Sequence, residues 1–137
     1  MSCNINELFK LLSQSSSAEQ QKLGIEMANK IEFLSVLIMP VEDKSVWENC
    51  AKVLAGKSDD ELRIYISRLF EWLMGMNWPG ADIIYERLLN VPAEMLIPEY
   101  EFSLERARQT EDHSWEMSLK YFYNEYENRH RNGFSVC

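Results

Sequence analysis

Apolar residues recur at three- and four-residue spacing along nearly the whole chain, and no stretch alternates apolar with polar residues long enough to make a strand. A chain patterned this way buries its stripes by packing helix on helix. Ile5, Leu8, Phe9 and Leu12 predict a short opening helix. Ser17 and Gln20 have the spacing of a capping box, so a second helix is expected from Ala18. Its stripe is Leu23, Met27, Ile31, Leu34 and Ile38, and Pro40 stops it. A third helix, capped by Asp43 or Ser45, turns Val46, Trp47, Cys50, Ala51 and Leu54 inward and ends with Gly56 at C′. Ser58 and Glu61 repeat the capping-box spacing ahead of Leu62, Ile66, Leu69 and Leu73.

The helical pattern then breaks over Gly75, Met76, Asn77, Trp78, Pro79 and Gly80, and resumes with Ala81, Ile84, Tyr85 and Leu88. The break reads as the corner of an αα-hairpin. Gly75 supplies a left-handed residue that closes one helix. Asn77 caps the next, Pro79 fits its first turn, and Trp78 covers the corner as a lid. Pro92 or Ala93 starts a further helix carrying Leu96, Ile97, Tyr100, Leu104 and Ala107. After the loop at 109–112 a last helix carries Trp115, Leu119, Phe122 and Tyr126.

Second arms of successive pairs keep a common register. Trp47, Ala81 and Trp115 recur at a spacing of about 34 residues, as do Ala51, Tyr85 and Leu119, and Leu54, Leu88 and Phe122. The fold expected is all-α: about six helices forming antiparallel hairpins in a short HEAT-like right-handed stack, one domain over residues 1–137. The same register aligns Glu48, Asp82 and Glu116 on the polar faces. With Glu86 they form a candidate partner-binding row, diluted by Lys52 and Lys120.

Twenty-two acidic against 14 basic residues give a formal charge of −8, which disfavours nucleic acid and anionic lipid as partners. The one basic cluster, Arg129, His130 and Arg131, suits a helix C-terminus. Cys3, Cys50 and Cys137 form no metal or disulfide pattern and fit a reducing compartment. No leader and no membrane span is expected, and the cytoplasm is the expected location.

The stretch from Leu69 through Leu89 resembles the core of an uncharacterised bacterial family, a domain of unknown function. The resemblance rests on Trp72, on Asn77, Trp78, Pro79 and Ala81 at the helix corner, then on Pro98, and on Asp112 with Trp115. It covers roughly 43–124 and implies a small HEAT-like helical fold with no activity attached. The family's members are similar in size and charge to small bacterial proteins that neutralise toxins of competing cells.

Catalytic and metal signals are weak. Glu127 and His130 have the spacing of half a di-iron motif, without a second half. Glu111, Asp112 and His113 adjoin one another but lack a nucleophile at any defined spacing, and acidic residues suit a helix N-terminus. Cys50 lies on an apolar stripe, so its thiol should be buried and inert. No catalytic residue, cofactor or metal is therefore assigned. The function expected is a non-enzymatic protein-binding module, an immunity-type inhibitor of a basic bacterial toxin. The alternative is a scaffold that self-associates through the last helix, where Tyr121 and Tyr123 lie off the main stripe. An enzyme ranks last. Trp72, Asn77, Trp78 and Pro79 are assigned to the structural corner.

Overall fold

The computed structural model describes residues 5–41 and 43–136, with side chains through residue 130. Among them every regular element is helical. The elements are α1 (Ile5–Leu12), α2 (Ala18–Ala28), α3 (Trp47–Ala55), α4 (Asp59–Leu62), α5 (Ile66–Glu71), α6 (Ala81–Leu88), α7 (Ala93–Gln109) and α8 (His113–Val136), with short 3-10 turns at Leu34–Leu37, Lys44–Val46, Arg63–Tyr65 and Trp72–Met74. The 3-10 turn at Arg63–Tyr65 joins α4 to α5, so the described residues make seven helical rods. Helix α1 packs on α2, α2 on α3, α3 on α6, α5 on α7 and α7 on α8. One hydrophobic cluster runs from Leu8 to Tyr126 through this stack.

Both capping boxes form. Ser17 accepts from the Gln20 backbone N–H while Gln20 accepts from that of Ser17; Ser58 and Glu61 do the same. Asp43 accepts from the Ser45 N–H and hydroxyl ahead of α3. Of the nine positions at the 34-residue spacing, all but Tyr85 are buried.

Several local expectations are corrected. Helix α2 ends at Ala28 instead of running to Pro40, and Leu23 is 48% exposed. Its inward face is Gly24 and Ala28. A Cβ on Gly24 would stand 2.9 Å from that of Leu11, so close approach to α1, which only small residues permit, outweighs the larger apolar stripe. Gly56 occupies the C-cap with right-handed geometry, φ −83°, rather than a left-handed C′. Gly75 is extended, φ −128°. Its lack of a side chain matters because the Trp78 indole lies 2.5 Å from where a Cβ would be.

The left-handed residue of the corner is Gly80 at φ 83°. Trp78 through Ala81 form a type II turn with Pro79 and Gly80 at its centre, closed by the Ala81 N–H donating to the Trp78 carbonyl at 3.1 Å. Gly80, not Asn77, is therefore the N-cap of α6; Asn77 is exposed and caps nothing, and Pro79 precedes the helix. A Cβ on Gly80 would also meet the Ala51 Cβ at 2.7 Å and the Trp47 carbonyl at 2.9 Å. Trp72 is the fully buried indole of the corner and donates to the Pro79 carbonyl at 2.9 Å. Trp78 is half-buried, edge-on to Trp47 at 5.5 Å, with the Lys44 ammonium 5.3 Å from both rings.

The N-terminal hairpin is tied to α3 by buried polar contacts. Asn49 donates to the Leu12 carbonyl and to Gln21, Ser13 and Ser45 share a hydrogen bond of 2.8 Å, and the Trp47 indole donates to the Pro40 carbonyl. At the other end of the stack, the Trp115 indole donates to the Phe70 carbonyl and its backbone N–H to Asp112, which fixes the start of α8.

Candidate docking face

Helices α6 and α8 meet through aromatic rings. Tyr85 stands edge-on to Phe122 at 5.2 Å, and its hydroxyl donates to Glu125 at 2.8 Å. Burial and that carboxylate push the Tyr85 hydroxyl pKa up. Above this contact lies an apolar groove of about 380 Å³, lined by Met76 from the corner, Tyr85 from α6, and Met117, Ser118, Tyr121 and Glu125 from α8. Met117 and Tyr121 are each 72% exposed and Met76 40%. Tyr123, expected to share that exposure, is instead half-buried and stacked on Tyr100 at 4.4 Å.

The candidate acidic row is mostly occupied within the molecule. Glu48 pairs with Lys52 at 3.5 Å. Glu86 pairs with Arg129 at 2.7 Å, and Arg129 also reaches Glu125 at 3.4 Å. Glu116 meets Lys120 at 3.0 Å and Arg108 at 3.2 Å, and these two donors hold its carboxyl below the usual range. Asp82 is exposed and without an ion-pair partner among the described residues. It lies one turn before Tyr85 and Glu86 on α6 and is not among the residues that line the groove. Together Asp82 and Glu86 line a second, shallower depression with Ala55, Ile83, Arg87 and Asn90. Asp82 and Glu86 thus share a depression separate from the apolar groove, and Glu48, Glu86 and Glu116 are paired carboxylates.

Several of the residues weighed for chemistry make structural contacts. Glu111 is the left-handed C′ residue of α7, φ 54°. There the Asp112 N–H reaches the Ala107 carbonyl and the Glu111 N–H that of Arg108, as in a Schellman motif. Asp112 caps α8, and His113 is exposed in its first turn. A His130 ring nitrogen bonds the Leu89 carbonyl at 3.0 Å, under the Tyr126 ring, while Glu127 is exposed. Cys50 is buried, and burial pushes its thiol up to about 12. Cys3 and Cys137 lie outside the described residues, as do the side chain of Arg131 and residue 42. No helix among the described residues is long and apolar enough to cross a membrane.

Met76, Met117 and Tyr85 were not among the expected partner-binding residues. The available signal was Met117 with Tyr121, one turn apart on α8 and off its buried stripe.

The fold defines a small all-helical stack. The chain belongs to the family described as a domain of unknown function (DUF5071), which it matches over residues 42–132. No curated protein and no solved structure matches it.

Proposed function

We propose that the chain is a non-enzymatic protein-binding module that meets its partner with the α6–α8 face. The observation that carries this reading is the exposure of Met117 and Tyr121 around an apolar groove. Side chains of this kind, when contiguous and uncovered, mark association surfaces. The partner is a basic protein, and the role is that of an immunity-type inhibitor covering the positive site of a bacterial toxin. A net charge of −8 favours steered encounter with such a surface. The stacked hairpins act as a HEAT-type scaffold for that face, and the cytoplasm, where Cys50 stays a thiol, is the compartment of the reading.

The test is affinity capture with the wild-type chain and with a Met117→Ser/Tyr121→Ser variant, followed by coexpression of the captured protein in a sensitive host. A basic partner lost by the variant, whose toxicity the wild-type chain relieves, supports the reading. Equal capture by both chains refutes the face. A second reading, a self-associating scaffold, is favoured by the groove's lining, in which Glu125 is the one charged residue. Sedimentation showing only monomer across the micromolar range removes it.

A further inference from the structure

We infer that Met76 and Met117 are paired oxidation sites: a peroxide converts both thioethers to sulfoxides and turns the α6–α8 groove from apolar to polar while the fold stays intact. The consequence for a partner rests on the docking reading; the modification itself does not. Six of the seven methionines lie among the described residues. Met27, Met39 and Met74 are half-buried against the core, and Met95 is buried. The two exposed ones, Met76 and Met117, come from the corner and from α8 and line the same groove. A thioether has no proton to lose, so solvent access rather than ionisation decides how readily it meets the oxidant. Cys50 does not compete, because the thiolate is the reactive form and this thiol is buried and pushed up to about 12. In the reaction a sulfur lone pair attacks a peroxide oxygen, and an S–O bond forms as the O–O bond breaks. The sulfur gives up two electrons, and the departing hydroxide takes the proton of the transferred oxygen and leaves as water. The new oxygen is a strong acceptor that stays hydrated, so covering it with an apolar side chain no longer gains free energy. Neither sulfur is needed by the core: Met117 lies off the buried stripe of Trp115, Leu119, Phe122 and Tyr126, and Met76 lies in the turn ahead of α6. Sulfoxide reductases undo the change, which makes the groove a reversible switch.

The experiment treats the full chain with graded hydrogen peroxide. Proteolysis with mass spectrometry then locates each sulfoxide, circular dichroism follows the fold, and hydrophobic-interaction chromatography of the intact chain reads its surface. Met76 and Met117 should oxidise about fivefold or more faster than Met27, Met39, Met74 and Met95. A chain oxidised at these two alone should keep its helical signal and melting temperature and elute earlier, and reductase treatment should restore its retention. Met76→Leu/Met117→Leu should elute at one position before and after the same dose, since leucine keeps the lining apolar. Equal rates at all six methionines overturn the inference, as does a chain that unfolds when only these two are oxidised. So does an elution position that oxidation leaves unchanged, or a shift that persists in the double variant, since other residues would then carry it. If retention shifts as expected and a captured partner is held equally by native and oxidised chains, the oxidation sites are supported and the docking face is refuted. If the methionines oxidise alike while the Met117→Ser/Tyr121→Ser variant still loses its partner, the docking face stands and the oxidation sites fall.

Discussion

Gly80→Ala tests the corner most directly. Gly80 sits at φ 83°, and a Cβ there would lie 2.7 Å from the Ala51 Cβ and 2.9 Å from the Trp47 carbonyl. The left-handed backbone costs a non-glycine residue about 1–2 kcal/mol. Neither close neighbour is the end of a flexible side chain, so α6 must move off α3, an overpacking penalty of about 1–3 kcal/mol. The sum, roughly 2–5 kcal/mol, is a large part of the about 5–15 kcal/mol that holds a domain together. It can be split experimentally. Ala51→Gly removes one of the two contacts at a cost of about 1 kcal/mol in a helix. If steric overlap contributes, the double variant is less destabilised than the sum of the singles, by at least about 0.5 kcal/mol. Urea denaturation followed by circular dichroism measures all four chains, with the m-value checking that the unfolding reaction is unchanged. Gly80→Ala within about 0.5 kcal/mol of wild type would refute the turn assignment. Strict additivity would refute the contact with Ala51 and leave only the backbone conformation.

Four further outcomes are expected. Trp72→Ala, at a fully buried indole, should cost about 3–5 kcal/mol, whereas half-buried Trp78→Ala should cost distinctly less; the reverse order in thermal melts contradicts the corner as described. Glu111→Gly should stabilise the chain by about 0.5 kcal/mol, the left-handed penalty less the glycine entropy, and a loss of stability would mean that the Glu111 side chain has a role of its own. Cys50 should resist a thiol reagent at pH 8 until the chain unfolds, since its thiol is buried and titrates near 12; rapid labelling of a Cys3→Ser/Cys137→Ser chain would show otherwise. The Glu61 carboxyl is held below 4.5 by its bonds to Ser58. Its contribution is therefore present above the unfolded pKa and lost as pH falls through the lower folded value. Ser58→Ala removes the smaller contribution of the hydroxyl and keeps that of the backbone N–H, so the midpoint in an NMR series should move only part of the way toward 4.5; a full return would refute the backbone contribution.

The parts of the fold legible from the chain were those set by neighbours in sequence. Both capping boxes depend on residues three apart, and the buried stripes of α3, α6 and α8 follow from their own periodicity. What escaped depends on residues brought together from afar. Gly75 and Gly24 are small because Trp78 and α1 lie against them, and glycine identity alone does not say whether it serves a dihedral angle or a close approach. Leu23 belongs to a plausible stripe, yet the narrower face at Gly24 wins because it lets two helices approach. The pairings Glu48–Lys52 and Glu116–Lys120 were readable at four-residue spacing. Arg108 on Glu116 and Arg129 on Glu86 were not, and they decide which carboxylates remain available. The groove joins the corner turn, α6 and α8, so its only signal in sequence was Met117 with Tyr121 off the buried stripe of α8.

The polar ties between the N-terminal hairpin and α3 bear on how this family's unit is delimited. The match to the family begins at residue 42, but the acceptors for Asn49 and the Trp47 indole, namely the Leu12 carbonyl, Gln21 and the Pro40 carbonyl, all precede it. Excised at the matched boundary, the stretch would carry an amide and an indole N–H whose partners had been left behind, on a face of α3 newly open to water. A stretch recognisable in sequence and a stretch that unfolds as one cooperative body need not share an edge. In this chain the hydrogen bonds of Trp47 and Asn49 cross the matched boundary to residues that the family match does not cover.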